Sequence, residues 1–412
     1  MNNLPKNWCE CNLGSVCCLD NGVKQNNLHL PLLDAKYLRG KKEPEFRDTG
    51  VVLYENDYVI LVDGENSGEI FIVKSTGIMG STFKKLNISK LINVDYILCN
   101  IRCNQNLFRT NKKGAAIPHL DKQLFKNLII NLPPIKEQGR IVEKIEELFS
   151  DIDNGIKDLK TAQAQIKQYR QSVLKSAFEG KLYKTSEWKK VKLEDVCKFK
   201  SGTTIPKDLE HINGDIPYVK VADMNLPDNK VEICTSSKFC ILSELRESQI
   251  IPIGAVIFPK RGGAIATNKK RKVIKPIIID LNIMAIIPSE KINQNFLFYK
   301  MLSIDLTKLS NGGNIPQINN YSFDNEKILL PPLPEQQQIV AEIEKRFAVA
   351  DEMEKAVNDS LLQAEKLKQS ILKQAFAGKL VPQNPNDEPA AVLLERIKAA
   401  KENSTKGKKI ND

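Results

Sequence analysis

Residues 132–182 and 330–380 are two copies of one segment, aligned without a gap at an offset of 198 and identical at 22 of 51 positions. A chain that writes one segment twice must build one local structure twice, and its fold has to accommodate both copies. The copies open on Leu132-Pro133-Pro134 and Leu330-Pro331-Pro332 and continue through Glu137-Gln138 and Glu335-Gln336. They close on Ala177-Phe178 and Ala375-Phe376, followed by Gly180-Lys181-Leu182 and Gly378-Lys379-Leu380. The register persists upstream, where Gly114, Ile117, Pro118 and Phe125 match Gly312, Ile315, Pro316 and Phe323. A second correspondence, at offset 180, places Trp8, Leu13, Val16, Cys17 and Gly22 on Trp188, Leu193, Val196, Cys197 and Gly202. The stretches between, 23–113 and 203–311, hardly align. The chain is a duplicated frame carrying two divergent inserts.

Each repeated segment predicts one long helix. The Pro-Pro pair forbids helix before it and is tolerated at a helix start. Glu137 and Glu335 fall in the first turn, where the dipole favours acids. Apolar residues then recur mostly at steps of three and four, from Ile141 to Ala177 and from Ile339 to Ala375, the spacing of a coiled-coil seam. Gly180 and Gly378 stop the helices. A helix from 136 to 178 spans roughly 65 Å at 1.5 Å per residue. A stripe of that length, present twice, predicts pairing of the two helices. The connection between them is a whole domain, so the pair can run antiparallel, with a pseudo-twofold relating the halves.

The inserts read as β-rich. Val51–Tyr54, Tyr58–Val62, Ile70–Val73, Ala255–Phe258, Val273–Ile279 and Ile283–Ile287 are short strand-like runs separated by Gly, Asn, Asp and Pro. Short helices are expected near Leu120–Asn127 and Gln294–Leu302. The fold class expected is α+β: β-rich domains over 1–131 and 183–329, long helices over 132–182 and 330–380 forming an antiparallel coiled coil, and a C-terminal segment 381–412. In that segment a helix is expected over Ala390–Lys401 and a frayed tail from Glu402.

The formal net charge of +11 is unevenly spread. Residues 1–131 carry +4 and 183–329 carry +6, against +1 for 132–182 and 0 for 330–412. Basic globular units suit phosphate contacts, and nearly neutral helices suit protein contacts. Candidate DNA-binding residues in the first unit are Lys84, Lys85, Arg102, Asn104, Gln105, Arg109, Lys112 and Lys113. In the second they are Lys260, Arg261, Lys269, Lys270, Arg271, Lys272, Asn314 and Gln317. Glycines beside the cations, as in Arg261-Gly262-Gly263, allow close backbone approach to a phosphate. Asn, Gln and Arg can read base edges. Against this stands the ordinary reading of a charge run as a solvated face.

Other chemistry is sparse. Nine cysteines, an odd number, make no disulfide framework. The cluster Cys9, Cys11, Cys17 and Cys18 lacks paired C-x-x-C spacing, and the match of Cys17 with Cys197 favours packing over zinc. The three histidines, His29, His119 and His211, have no ligand spacing. No Walker A loop, no G-x-G-x-x-G after a strand and no Asn/Asp-Pro-Pro-Tyr string occurs. Asp63-Gly64-Glu65-Asn66 reads as a turn. No run reaches the ~18 apolar residues of a membrane span, and no basic-then-apolar leader opens the chain, so the cytoplasm is the expected location.

The string Pro331-Pro332-Leu333-Pro334-Glu335-Gln336, together with Gln374-Ala375-Phe376-Ala377-Gly378-Lys379-Leu380-Val381-Pro382, resembles the DNA-specificity subunits of type I restriction-modification systems, over nearly the whole chain. Lys136 in place of Pro334 is a mild departure in the first copy. The resemblance implies two target recognition domains, each reading one half of a bipartite site in double-stranded DNA. It implies a coiled coil that fixes the half-site separation at about a helical turn or a little more. It further implies two modification subunits that bind S-adenosylmethionine and methylate adenine, and restriction subunits that use ATP and Mg. The chain itself would bind no cofactor or metal and catalyse nothing. The readings weighed against this one are an enzyme acting alone and a non-catalytic, sequence-nonspecific DNA-binding scaffold.

Overall fold

Both repeated segments are helices, Ile135–Phe178 and Leu333–Phe376, of 44 residues each. The computed structural model describes residues 4–111, 119–311, 313 and 315–408. It divides into one unit of residues 1–159 with 359–412 and a second of residues 160–358. Each unit therefore takes the first part of one long helix and the last part of the other.

Within each unit the helices meet through the same repeat positions. In the first unit, Ile141, Val142 and Ile145 share a core with Ile371, Leu372 and Ala375. In the second, Ile339, Val340 and Ile343 share a core with Val173, Leu174 and Ala177. These are the same six positions of the repeat with the copies exchanged. The polar links repeat as well. Lys368 lies 5.3 Å over the Phe149 ring and donates to Asp153 at 2.5 Å. Arg170, the repeat counterpart of Lys368, lies 5.3 Å over Phe347 and donates to Asp351 at 2.6 Å. In the second unit Gln163 pairs with Asn358 and Arg170 with Asp351, so one helix number rises as the other falls and the pairing is antiparallel.

The frame is built twice at the level of backbone register. Strand Cys9–Asn12 pairs antiparallel with Ile129–Leu132, Cys9 opposite Leu132; Lys189–Lys192 pairs with Lys327–Leu330, Lys189 opposite Leu330. Cys17–Asp20 lies beside Phe83–Ile88, which also pairs with Tyr58–Leu61. Cys197–Ser201, Ile283–Pro288 and Val256–Pro259 repeat that order. Even the inserts agree. A parallel pair, Leu32 opposite Ile78, recurs as Tyr218 opposite Ile278, and helix Val94–Cys103 recurs as Gln294–Ser303. The expected run Val273–Ile279 is two strands, Arg271–Val273 and Ile278–Ile279. Pro276 lies between them and has no N–H to continue a ladder.

The repeated Gln explains why the helix start is written twice. Gln138 and Gln336 are fully buried. Their side-chain oxygens accept from the backbone N–H of Asn93 at 2.9 Å and Asn293 at 2.7 Å, and their amides donate to Pro133 and Pro331 carbonyls at 2.9 Å. Each Gln thus ties the Pro-Pro turn to the N-terminus of the insert's helix. Those backbone groups would otherwise be buried without partners.

The units differ at the chain ends. Helix Ala390–Lys408 continues past the expected Lys401; the tail expectation beyond 408 lies outside the described residues. Its Ala390, Leu393, Leu394 and Ile397 pack into the first unit's core. Ala390 N–H donates to Asn7 O at 2.9 Å and Arg140 pairs with buried Asp387 at 2.6 Å. This helix shares a core with Cys11 and Cys17 of the cysteine cluster. Cys11 and Cys17 are buried, and burial pushes both thiols up to about 12. At the matching strand positions the second unit has Lys189 and Val191 where the first has Cys9 and Cys11. Among the described residues it has no counterpart of the helix to cover them. A chain ending at Pro389 loses the burial of three large apolar side chains, worth roughly 1.5–3 kcal/mol each. It is expected to gain fast-reacting thiols in a disulfide-exchange titration, beyond the exposed Cys18 and Cys234. An unchanged count would show that the helix does not shield the cluster.

Candidate nucleic-acid interface

Many of the cations marked by the sequence bond within the fold. The run Lys269–Lys272 leads into strand Arg271–Val273, an inner strand of a five-stranded sheet. Lys270 is 2% exposed. Its ammonium donates to Ile304 O at 2.6 Å and to Asn268 Oδ1 at 2.7 Å, and burial pulls its pKa down to about 8. Asn268 holds a left-handed φ of 53° and its Oδ1 also accepts from Leu306 N–H. Arg271 donates to the Lys270 and Met224 carbonyls. Lys272 lies 3.5 Å from Glu232 and 5.2 Å over the Phe298 ring. Lys269 is partly buried and bonds Asn225. The run is therefore partly a strand whose charges meet backbone carbonyls and neighbouring side chains, with Lys270 buried and the other three half-buried.

Several candidates of the first unit are also engaged within the fold. Lys84 and Lys85 sit on strand Phe83–Ile88 and are partly buried, bonded to Asn21 and, at 2.7 Å, to Asp57. Arg102 and Gln105 lie on helices Val94–Cys103 and Gln105–Thr110 and line a cleft of about 550 Å³ with Glu69, Asp95, Glu146 and Asp153. An acid-rich cleft repels phosphate. Asn104 donates back to Asn100 O at 2.9 Å, and the Arg109 Nε–H is buried. Lys112, Lys113 and Asn314 lie outside the described residues, as do Gly114, Ile117, Pro118 and Gly312.

Arg102 is exposed, and two further places among the described residues present cations to solvent. In the second unit Lys260 donates to Ser201 Oγ at 2.9 Å, and the next residue, Arg261, is exposed. Arg261 forms an isolated antiparallel bridge with Gln317, closed by Gly262 N–H to Pro316 O and Ile318 N–H to Lys260 O, both 2.8 Å. In the first unit the sequence reading missed a cluster: Arg39, Lys41, Lys42 and Lys74 border a cleft of about 750 Å³ with Leu33, Tyr37 and Ile72. Arg39 grips Glu69 and Lys42 pairs with Glu45, while Lys41 and Lys74 are exposed. The string Arg39-Gly40-Lys41-Lys42 was the available signal.

The first unit also builds the bridge of the second. Asp63 pairs with His119 as Arg261 does with Gln317, and Leu120 N–H donates to Val62 O at 2.7 Å as Ile318 does to Lys260. The Asp63 carboxylate lies 2.6 Å from His119 Nδ1. Among the described residues no three His, Cys, Asp or Glu side chains are grouped to hold a metal, and no helix is long and apolar enough to cross a membrane.

Comparison with known proteins matches the duplicated frame. The sequence model of the type I restriction modification DNA specificity domain matches residues 5–161 and again 185–363, once on each copy of the frame. The chain is 29% identical over 383 residues to the type I restriction enzyme MjaVIII specificity subunit of Methanocaldococcus jannaschii, covering 87% of this chain and 88% of that one. It is 27% identical to the EcoDI specificity subunit of Escherichia coli, covering 96% of each. A solved chain from work on complex assembly and conformational transition of the type I R-M system shares the fold. Its TM-score is 0.71 at 18% identity, over 92% of this chain and 99% of that one.

Proposed function

We propose a function from one premise: this chain belongs to the type I restriction-modification DNA specificity family. It is the DNA-specificity component of such a system. In our reading each unit binds one half of a bipartite target in double-stranded DNA. The long helices receive two modification subunits, and restriction subunits join the assembly. The single observation that carries this is a frame repeated down to its hydrogen-bond register while the surfaces mounted on it differ. Identical partners need equal docking surfaces, and unlike half-sites need unlike readers.

Two further features support the division of labour. The long helices are nearly neutral, and the second exposes Val349, Met353, Leu362 and Leu367, each about half accessible. Large apolar side chains outside a core suit a protein partner. The exposed cations Lys41, Lys74 and Arg261 lie on the globular parts and suit the sugar-phosphate backbone. S-adenosylmethionine, ATP and Mg then belong to the partner subunits, and this chain contributes no catalytic group.

The test is methylated-base mapping of host DNA with the gene intact and deleted. Loss of N6-methyladenine from one bipartite motif with a fixed gap is the expected result. Binding that tracks salt alone, with no motif lost on deletion in cells expressing a modification partner, would favour a nonspecific scaffold.

A further inference from the structure

The two bridges occupy one topological position and carry opposite chemistry. In the second unit it is Arg261 with Gln317; in the first, Asp63 with His119. Backbone hydrogen bonds of 2.8 and 2.7 Å fix the flanking residues alike, so the frame presents each pair in the same way. Arg261 is exposed and makes no side-chain hydrogen bond or ion pair with any described residue. The next two residues, Gly262 with a φ of 70° and Gly263, have open space where a Cβ would stand. A ligand can therefore approach the backbone beside the guanidinium without meeting a side chain. Lys269 through Lys272 bond within the unit, whereas the Arg261 guanidinium keeps its fork of donors unused among the described residues.

Resting on the function proposed above, we infer that this bridge is where each unit tells one base from another. Arg261 forks onto the O6 and N7 acceptors of a guanine in the second unit's half-site, with Gln317 beside it. In the first unit, Asp63 can only accept, so it rejects the acceptor edge of guanine and takes a base that presents an amino group, adenine or cytosine. His119, 2.6 Å away, holds the carboxylate in place. A carboxylate at this position also repels phosphate, so the pair in the first unit serves base choice and not backbone attachment.

The test complements the deletion strain with the full-length gene as wild type, Arg261→Ala, Arg261→Lys and the double variant Asp63→Arg/His119→Gln, and maps methylated adenines. Arg261→Ala is expected to relax one position of one half-site by about 10- to 100-fold and leave the other half-site unchanged. Arg261→Lys, which keeps the charge and loses the fork, should relax the same position. The double variant should change the other half-site alone. An unchanged motif in Arg261→Ala would overturn the inference. So would a uniform loss at both half-sites with the sequence preference intact, which marks a phosphate contact, or restoration of the wild-type motif by lysine. Abolished methylation in both Arg261 variants also counts against it, because an exposed side chain without partners holds no fold together. If wild type itself restores no motif, the proposed function falls and this inference with it; an intact motif in Arg261→Ala removes only the inference.

Discussion

Gly202→Ala is expected to collapse the second unit's sheet, while Gly263→Ala, the same chemical change elsewhere in that unit, leaves it intact. A Cβ on Gly202 would stand 1.9 Å from the Asp280 carbonyl oxygen and 2.5 Å from that of Ile279. Both are backbone atoms and cannot rotate away. The two segments are held together by Gly202 N–H to Ile283 O and Thr203 N–H to Ile279 O, each 3.0 Å. Relieving the clash breaks both bonds and drags Ile278–Ile279 out of its parallel pairing with Tyr218 and Val219. Overpacking of this kind, with lost buried hydrogen bonds added, costs on the order of 3 kcal/mol or more. At Gly263 an added Cβ meets nothing within 4 Å, and the change should stay within about 0.5 kcal/mol. Peptide-resolved hydrogen exchange checks this. Protection should fall across 197–203 and 278–288 in Gly202→Ala, with the first unit's strands unaffected. Equal protection in the two variants would sink the account.

The pair Gly22 and Gly202 was visible in the sequence as a repeat match, but its cause was not. At Gly22 the neighbour is the Val51 side chain, 2.3 Å from an added Cβ, and φ is 66°; at Gly202 it is backbone. Identity at aligned positions reports a constraint without saying which atom imposes it. The inserts show the reverse. Residues 81–100 and 281–300 follow the same course, strand to turn to helix, yet match only at Ser89, Ile92 and Asn93 with Ser289, Ile292 and Asn293. Asn93 and Asn293 cap the helices and meet the buried Gln. The remaining positions need only be apolar or extended, which many residues satisfy, so the shared topology was hidden.

The candidate site was the less legible part. The Lys269–Lys272 run has the composition of a nucleic-acid patch, and composition does not reveal that Arg271–Val273 is an inner strand. A long cationic side chain can bury its stem and still bond a carbonyl, as Lys270 does with Ile304. Asp63 reads as an ordinary turn acid until its backbone bridge to His119 is set beside that of Arg261 and Gln317. The long helices, by contrast, were legible almost to the residue. Pro-Pro, glycine and a sustained apolar period all act locally and agree with one another.

Gln336→Glu is expected to weaken the second unit severely, and more so as the pH rises. Gln336 is fully buried, with its oxygen accepting from Asn293 N–H at 2.7 Å and its amide donating to the Pro331 and Lys291 carbonyls at 2.9 and 3.1 Å. A carboxylate keeps the accepting role and turns an oxygen toward two carbonyls. Protonated, it can still donate to one of them. Burial and those carbonyls therefore raise the folded-state pKa above the roughly 4.3 of an unfolded glutamate. Stability is at its highest below that unfolded value and is lost as pH climbs through the folded one. Gln336→Leu removes both roles at every pH and leaves three backbone groups unpaired, the Pro331 carbonyl buried and the other two partly buried, at about 1–3 kcal/mol for the buried one and less for the others. Gln138 serves two described backbone groups, Asn93 N–H and Pro133 O, so Gln138→Leu should cost less. Urea unfolding at pH 5 and pH 8 separates the cases. The gap between Gln336→Glu and wild type should widen at pH 8, and that for Gln336→Leu should not. A Gln336→Glu chain equally stable at both pH values would mean that the side chain is reached by water and does not tie the turn to the helix.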